Sequence, residues 1–187
     1  MFIQTEATPN PSTLKFLPGR IVLSTGTIEF RDPDSAARSP LAKALFSVPG
    51  VSTVFFGADF VSVSKSEGEW QHLKPSILAA IMEHFVSGAP MLQDGIEHDQ
   101  AKGEDEFFDP SHAETVTTIK ELLETRIRPA VAGDGGDITF RGFRDGVVYL
   151  EMKGACSGCP SSTATLKSGI QNLLRHFLPD VQSVEQI

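Results

Sequence analysis

Two cysteines stand close together in the stretch GACSGCPSS, residues 154–162, and they are the only cysteines among the 187 residues. Cys156 and Cys159 are flanked by small residues, and Pro160 follows directly. Proline suits the first position of a helix, so Pro160 predicts a helix whose N-cap is Cys159. The unpaired N–H groups and the positive end of such a helix favour a thiolate, so the pair is suited to redox or metal chemistry.

Three kinds of functional site use cysteines in this pattern. The alternative is that the two cysteines have no function and are inert thiols or an incidental disulfide. A thiol–disulfide oxidoreductase uses the same helix N-terminus, although its motif follows a strand in a βαβ pattern and this one follows a predicted hairpin. A zinc-bridged interaction module and an iron–sulfur cluster each need four ligands, whereas one chain supplies two thiols. Two chains that each contribute Cys156 and Cys159 would complete either set, which favours a site shared across a homodimer.

The other residues that could do chemistry give weaker signals. The five histidines are scattered without a metal-binding spacing, so we interpret them as surface or packing residues: His72, His84, His98, His112 and His176. Asp134 and Asp137 lie in a glycine-rich stretch that precedes a strand, and a tight turn explains them better than a cation site. No Ser/His/Asp set or pair of catalytic carboxylates is recognisable, and we predict that the protein is not an enzyme.

Charge divides the chain into three parts. The formal net charge is −8, and most of it falls in residues 88–110, where Lys102 is the only base among seven acids: Asp94, Glu97, Asp99, Glu104, Asp105, Glu106 and Asp109. Such a run predicts a flexible acidic linker between domains at residues 1–87 and 111–187. Phe107 and Phe108 are its apolar members, expected to dock on a neighbouring domain. Neither flank carries the basic patch that nucleic-acid binding requires.

Membrane insertion and export are not indicated. The longest apolar run, residues 77–82, is far too short for a membrane span. The N-terminus lacks a basic leader and carries Pro9 and Pro11 where a signal peptide would be apolar. With two cysteines and no export signal, the chain is expected to work in a reducing compartment, where a CxxC is more often catalytic or metal-binding than a structural disulfide.

Local patterns predict helices and strands in both flanking parts, so the expected class is α+β. In the first part they predict strands at 2–6, 13–17, 27–30, 51–56 and 60–64, a helix opened by Ser39-Pro40, and a second opened by Pro75 and ended by Gly88. In the second part they predict a helix that is capped by Ser111 and Glu114 and that Pro129 breaks or kinks near Arg128. They also predict strands at 137–143 and 147–152 around an Asp-Gly turn, a helix at 160–177 and a final strand. The second part is therefore a helix, a hairpin, a helix and a strand.

With these residues identified, the chain resembles the Nfu family, the NifU-like iron–sulfur cluster carriers. Residues 111–187 resemble the NifU C-terminal-like domain through Arg128-Pro129, Asp134-Gly135-Gly136-Asp137 and, most specifically, the stretch at 154–162. Residues 1–87 resemble the Nfu N-terminal domain through TEATPNP at 5–11, LKF at 14–16 and LKP at 73–75. The cysteine motif shows no departure from the family pattern.

The resemblance implies a [4Fe–4S] cluster that bridges two subunits through Cys156 and Cys159 of each. It also implies apo iron–sulfur client proteins and a cluster donor as partners, with a homodimer when the cluster is bound. The long linker would let the N-terminal domain engage a partner while the cluster domain moves. Because the chain starts directly at the N-terminal domain, the expected location is the bacterial cytoplasm, or the mitochondrial matrix for a processed eukaryotic form.

Overall fold

A computed structural model describes residues 1–93 and 106–187 and divides the chain into two compact units, Met1–Gln100 and Ala101–Ile187. Each unit packs helices against a sheet, which confirms the α+β class. Most of the predicted acidic linker, residues 94–105, lies outside the described residues. Every helix within the described ranges is too short or too polar to cross a bilayer.

The N-terminal unit is an antiparallel five-stranded sheet with helices. Its strand order is β1-β2-β5-β4-β3. The strands are β1 (Gln4–Ala7), β2 (Thr13–Leu17), β3 (Ile28–Phe30), β4 (Val51–Phe56) and β5 (Val61–Lys65). The helices are α1 (Pro33–Ala36), α2 (Pro40–Phe46) and α3 (Trp70–Ser87). Large apolar side chains of the sheet and helices, among them Phe16, Phe30 and Ile77, are fully buried in one core.

Proline and its preceding cap residue start two of these helices. Ser39 accepts the Ala42 N–H at the start of α2, as predicted. Asp32 caps the single-turn helix α1 in the same way, and that helix was not predicted. The prediction that Pro75 opens α3 is wrong, because α3 begins at Trp70 and contains Pro75. Burial of Leu73 on the same face as Ile77 and Ile81 explains why the helix extends upstream of the proline.

The C-terminal unit carries the predicted hairpin at the centre of a four-stranded sheet with the order β6-β7-β8-β9. The strands are β6 (Phe107–Phe108), β7 (Gly136–Arg144), β8 (Val147–Gly154) and β9 (Ser183–Gln186). β7 and β8 are antiparallel, whereas β6 and β9 run parallel to their neighbours. Asp145 and Gly146 adopt φ values of 51° and 76°, which makes the tight turn that the Asp-Gly pair predicted.

The start of the C-terminal unit differs from the prediction. Phe107 and Phe108, assigned to the linker and expected to dock on a neighbouring domain, form β6 beside Gly142 and Phe143 of β7 and so belong to the sheet of the C-terminal unit. The lack of a side chain at Gly142 makes room for the Phe107 ring, since an added Cβ would lie 2.5 Å from it. The predicted capping box of Ser111 and Glu114 is also wrong. Asp109 instead accepts the Ser111 N–H and caps a 3₁₀ turn, Pro110–His112, ahead of the helix.

The helix before the hairpin continues past its proline. It consists of α4 (Ala113–Leu122), a wider π turn (Leu123–Ile127) and α5 (Arg128–Gly133), which contains Pro129. Proline has no N–H to donate and its ring crowds the preceding turn, and a π turn directly upstream relieves both problems. The last helix, α6 (Pro160–Phe177), has the predicted bounds, and Ile170 and Leu174 of α6 are buried in the core of this unit.

Candidate metal centre

The two cysteines lie on a short loop between the end of β8 and the start of α6. Gly154 and Gly158 both have positive φ values, 69° and 79°, and they turn the chain sharply from the strand into the helix. Cys159 is the N-cap of α6, as Pro160 predicted. The Thr163 side chain, in the first turn of α6, donates a hydrogen bond of 2.9 Å to the Cys156 carbonyl. The helix start therefore anchors both ends of the CxxC.

The two thiols occupy different environments. Cys156 is 6% exposed and belongs to the apolar core of the C-terminal unit, beneath the loop. It packs against Gly136 at the start of β7, where an added Cβ would lie 2.8 Å from the Cys156 Sγ. Cys159 is less buried, and its Sγ lies 3.6 Å from the Ser161 Oγ. Both cysteines are free thiols.

This difference separates the acidities of the two thiols. Burial raises the pKa of Cys156 to about 12, with the nearby carboxylates of Asp134 and Asp137 adding to the shift. Hydrogen bonds from Ser162 and, less strongly, Ser161 lower the pKa of Cys159 to about 7. Near neutral pH, Cys159 is therefore partly a thiolate while Cys156 remains a thiol. Since metals bind the thiolate, Cys159 is the better candidate ligand of the two in this conformation.

Asp137 has a structural partner directly beside the loop. Its carboxylate accepts hydrogen bonds from Arg128 Nε at 2.9 Å and Nη2 at 3.0 Å, and from the Ile138 N–H at 2.8 Å. Arg128 also pairs with Glu124, and its pKa is raised chiefly by Asp137. Gly135, with a φ of 84°, makes the turn into β7. The interpretation of this stretch as a turn agrees with the structure, whereas the Arg128–Asp137 pair was not foreseen from the sequence.

Comparison with known proteins supplies the family. The family described as "Scaffold protein Nfu/NifU N terminal" matches residues 3–88, and the one described as "NifU-like domain" matches residues 119–185. The chain belongs to the Nfu family. This result confirms the resemblance drawn from the cysteine motif and from the N-terminal stretches.

Two curated relatives match the Nfu-family chain over its whole length. A human protein named "NFU1 iron-sulfur cluster scaffold homolog, mitochondrial" is 50% identical over 100% of this chain and 72% of its own length. "NifU-like protein 4, mitochondrial" from Arabidopsis thaliana is 53% identical over 100% of this chain and 66% of its own length. The solution structure of a NifU-like protein from Saccharomyces cerevisiae is 27% identical, covers 50% of this chain and 86% of that one, and has a TM-score of 0.46.

The histidines that the structure of this Nfu-family chain describes have roles away from the loop. His84 is buried on α3 of the N-terminal unit, and burial lowers its pKa. His112 and His176 pack edge-on against Phe143 and Phe177, and His72 is exposed. Across residues 1–93 and 106–187, His, Cys, Asp and Glu side chains form no group of three that could hold a metal. The candidate centre of one chain is therefore the pair Cys156 and Cys159.

Proposed function

We propose that this protein is an iron–sulfur cluster scaffold and carrier that binds one [4Fe–4S] cluster between two copies of the chain. Cys156 and Cys159 of each copy would supply the four thiolates. The observation that carries the proposal is the pair of free thiols on a glycine-bounded loop at the N-terminus of α6. Thiolate sulfur is the ligand that such clusters require, and a chain with two cysteines supplies half of the set.

The chemistry of the loop fits a cluster that is cargo and not a permanent part of the fold. Cys159 is accessible and ionises readily, whereas Cys156 must leave the core before it can bind iron. The displacement of Cys156 costs free energy, which weakens the complex relative to a preformed cage of four cysteines. A carrier benefits from that cost, because an acceptor protein can then remove the cluster by exchanging thiolates. The proposed partners are apo iron–sulfur proteins and a cluster donor.

The names of the relatives support a location. The human and Arabidopsis relatives are named as mitochondrial proteins, and we propose the mitochondrial matrix for a eukaryotic form of this chain and the cytoplasm for a bacterial one. Both compartments keep thiols reduced, as free ligand cysteines require. The proposed role is non-enzymatic, in agreement with membership of a scaffold family.

Anaerobic reconstitution with iron and sulfide tests the proposal. We expect a brown dimer that holds about four iron and four sulfide per two chains, measured on the same fractions of a size-exclusion column. Cys156→Ser and Cys159→Ser should each abolish both cluster and dimer, because a hydroxyl replaces thiolate poorly around iron. Ser168→Ala, an exposed change on α6, is the matched control and should behave as the unaltered protein.

Other results would point to the other functions considered. A cluster on a strictly monomeric species, or full iron content in either cysteine variant, would refute bridging. Zinc in place of iron, without acid-labile sulfide, would indicate a zinc-bridged interaction module. A colourless protein that reduces the disulfides of insulin would indicate a thiol–disulfide oxidoreductase, a function with which an accessible thiol of pKa about 7 is also compatible.

A further inference from the structure

We infer that Gly136 and Thr163 are positioning residues that hold Cys156 inside the core, so that Cys159 is the first ligand to take up iron and Cys156 the second. The sheltering of Cys156 stands on the geometry of the chain alone. The order of iron binding rests in addition on the proposed function.

Two contacts hold Cys156 from opposite sides. On the β7 side, Gly136 offers a bare backbone surface, since an added Cβ would lie 2.8 Å from the Cys156 Sγ and 2.5 Å from the Lys153 carbonyl. On the α6 side, the Thr163 hydroxyl donates a hydrogen bond of 2.9 Å to the Cys156 carbonyl. The Cys156 side chain also packs in the core with Met152 and Ile170. The Cys156 thiol can reach an iron atom or a reagent outside the core only if these contacts open.

Cys159 needs no such opening. Its backbone is fixed at the N-cap position by the Thr163 N–H, which donates a hydrogen bond of 2.9 Å to the Cys159 carbonyl. Its side chain lies beside Ser161 at the outer face of the helix start. Thr163 thus contacts both halves of the motif: its backbone holds the accessible cysteine and its side chain holds the sheltered one.

The first ligation step is an exchange of thiolates at iron and needs no oxidant or reductant. One iron–sulfur bond to a thiolate of the donor breaks as one iron–sulfur bond to Cys159 forms, and the displaced thiolate takes the proton that the Cys159 thiol loses. No electron is transferred. Cys156 replaces a second donor thiolate in the same way after it has left the core.

Thiol labelling of the full-length apo-protein tests the sheltering. Iodoacetamide is the probe, and peptide mass spectrometry reports the rate at each cysteine, divided by its rate in the chain unfolded by guanidinium. We expect Cys159 to react roughly ten-fold faster than Cys156, or more, because Cys156 reacts only through local opening. Equal normalised rates would overturn the inference without any variant.

Thr163 variants test the hydroxyl contact. Thr163→Val keeps the shape and removes the donor, and we expect the labelling rate of Cys156 to rise about two- to ten-fold. Thr163→Ser keeps the hydroxyl and should restore the slow rate. Thr165→Val is the matched control, because the Thr165 hydroxyl also donates a hydrogen bond to a backbone carbonyl, that of Ser161, but from the exposed side of the same helix. An unchanged Cys156 rate in Thr163→Val, or an equal rise in Thr165→Val, would overturn the role of Thr163.

Glycine variants test the other side in the same assay. Gly136→Ala should displace Cys156 and raise its labelling rate relative to that of Cys159. Gly133→Ala, where an added Cβ meets nothing within 4 Å, should not. Amide exchange of β7 and β8 shows whether either variant has lost its fold. If Gly136→Ala is folded and leaves the ratio of rates unchanged, Gly136 has no positioning role.

A synthetic thiolate-ligated [4Fe–4S] complex, mixed with the apo-protein in a stopped-flow instrument, tests the order. We expect a fast phase lost in Cys159→Ser and a slow phase lost in Cys156→Ser, and Thr163→Val should accelerate only the slow phase. A fast phase lost in Cys156→Ser would overturn the order. If no cluster binds although Cys156 is sheltered from iodoacetamide, the proposed function fails and the sheltering is supported.

Discussion

Arg128 is predicted to stabilise the C-terminal unit mainly by neutralising a buried carboxylate. The Asp137 side chain is 6% exposed and that of Arg128 is 33% exposed. Arg128→Met would remove the two hydrogen bonds that the guanidinium donates to the Asp137 carboxylate, whereas the bond from the Ile138 N–H would remain. Removing one partner of a fully buried pair costs about 3–5 kcal/mol, and the partial exposure of Arg128 reduces the expected loss to about 2–3 kcal/mol.

Hydrogen exchange resolves this loss by region. A destabilisation of about 2–3 kcal/mol should accelerate exchange of the most protected amides of β7 and β8 by about 30- to 150-fold. Trp70, the single tryptophan, lies in the N-terminal unit. The urea-unfolding curve followed by its fluorescence should therefore be the same in Arg128→Met as in the unaltered protein. Arg175→Met makes the same chemical change at an exposed position of α6 and should cost little.

A second substitution separates charge from packing. Adding Asp137→Asn to Arg128→Met replaces the buried carboxylate that has lost Arg128 with a neutral amide, so the double variant should be more stable than Arg128→Met alone. A double variant that is less stable would refute the argument that the buried charge is the source of the loss. Unchanged exchange in Arg128→Met would refute the stabilising role of the pair itself.

Three further outcomes are expected. The rate at which iodoacetamide modifies Cys159 should rise with pH around a midpoint of about 7, because the thiolate is the main form of this cysteine above its lowered pKa. Ser162→Ala should move the midpoint upward, and Ser161→Ala should move it upward by less. Phe107→Ala should destabilise the C-terminal unit by about 2 kcal/mol, measured by hydrogen exchange during urea unfolding. This loss is smaller than the loss on replacing a fully buried phenylalanine, and Phe108→Ala should cost less still. In the reconstituted dimer of the proposed function, Pro160→Gly should speed cluster loss to an iron chelator without unfolding α6, because the fixed φ of proline presets the turn that holds Cys159. An unchanged rate would show that the helix start does not position this proposed ligand.

Local signals in the sequence predicted the elements that carry the site. Pro160 marks the start of α6, Asp145-Gly146 marks the hairpin turn, and their positions agree with the structure. The start of α3 and the strand β6 were missed, since each depends on packing with residues distant in the chain. Trp70, for example, donates its indole N–H to the Pro11 carbonyl, and Phe107 lies over Gly142. No local pattern around either residue reports such contacts.

The same limit applies to the candidate site. The identity of the two thiols and the N-cap position of Cys159 follow from residues 154–162 alone. The burial of Cys156 does not, because its neighbour Gly136 belongs to another strand and Asp137 is fixed by Arg128 of the preceding helix. The sequence placed Cys159 at the helix start but gave no difference in burial between the two cysteines, and only the tertiary structure separates their accessibilities and acidities.

The arrangement of the C-terminal sheet also has a consequence for how this unit folds. β7 and β8 are adjacent in the chain and pair through a tight turn, whereas β6 and β9 join the sheet from segments far from their partners. Closing long loops slows folding, so we expect the hairpin to form early and the two edge strands to dock late. The cysteine loop joins the early hairpin to α6 and can be complete only after α6 has packed. A nascent chain would therefore expose both thiols, and Cys156 would become sheltered only late in folding.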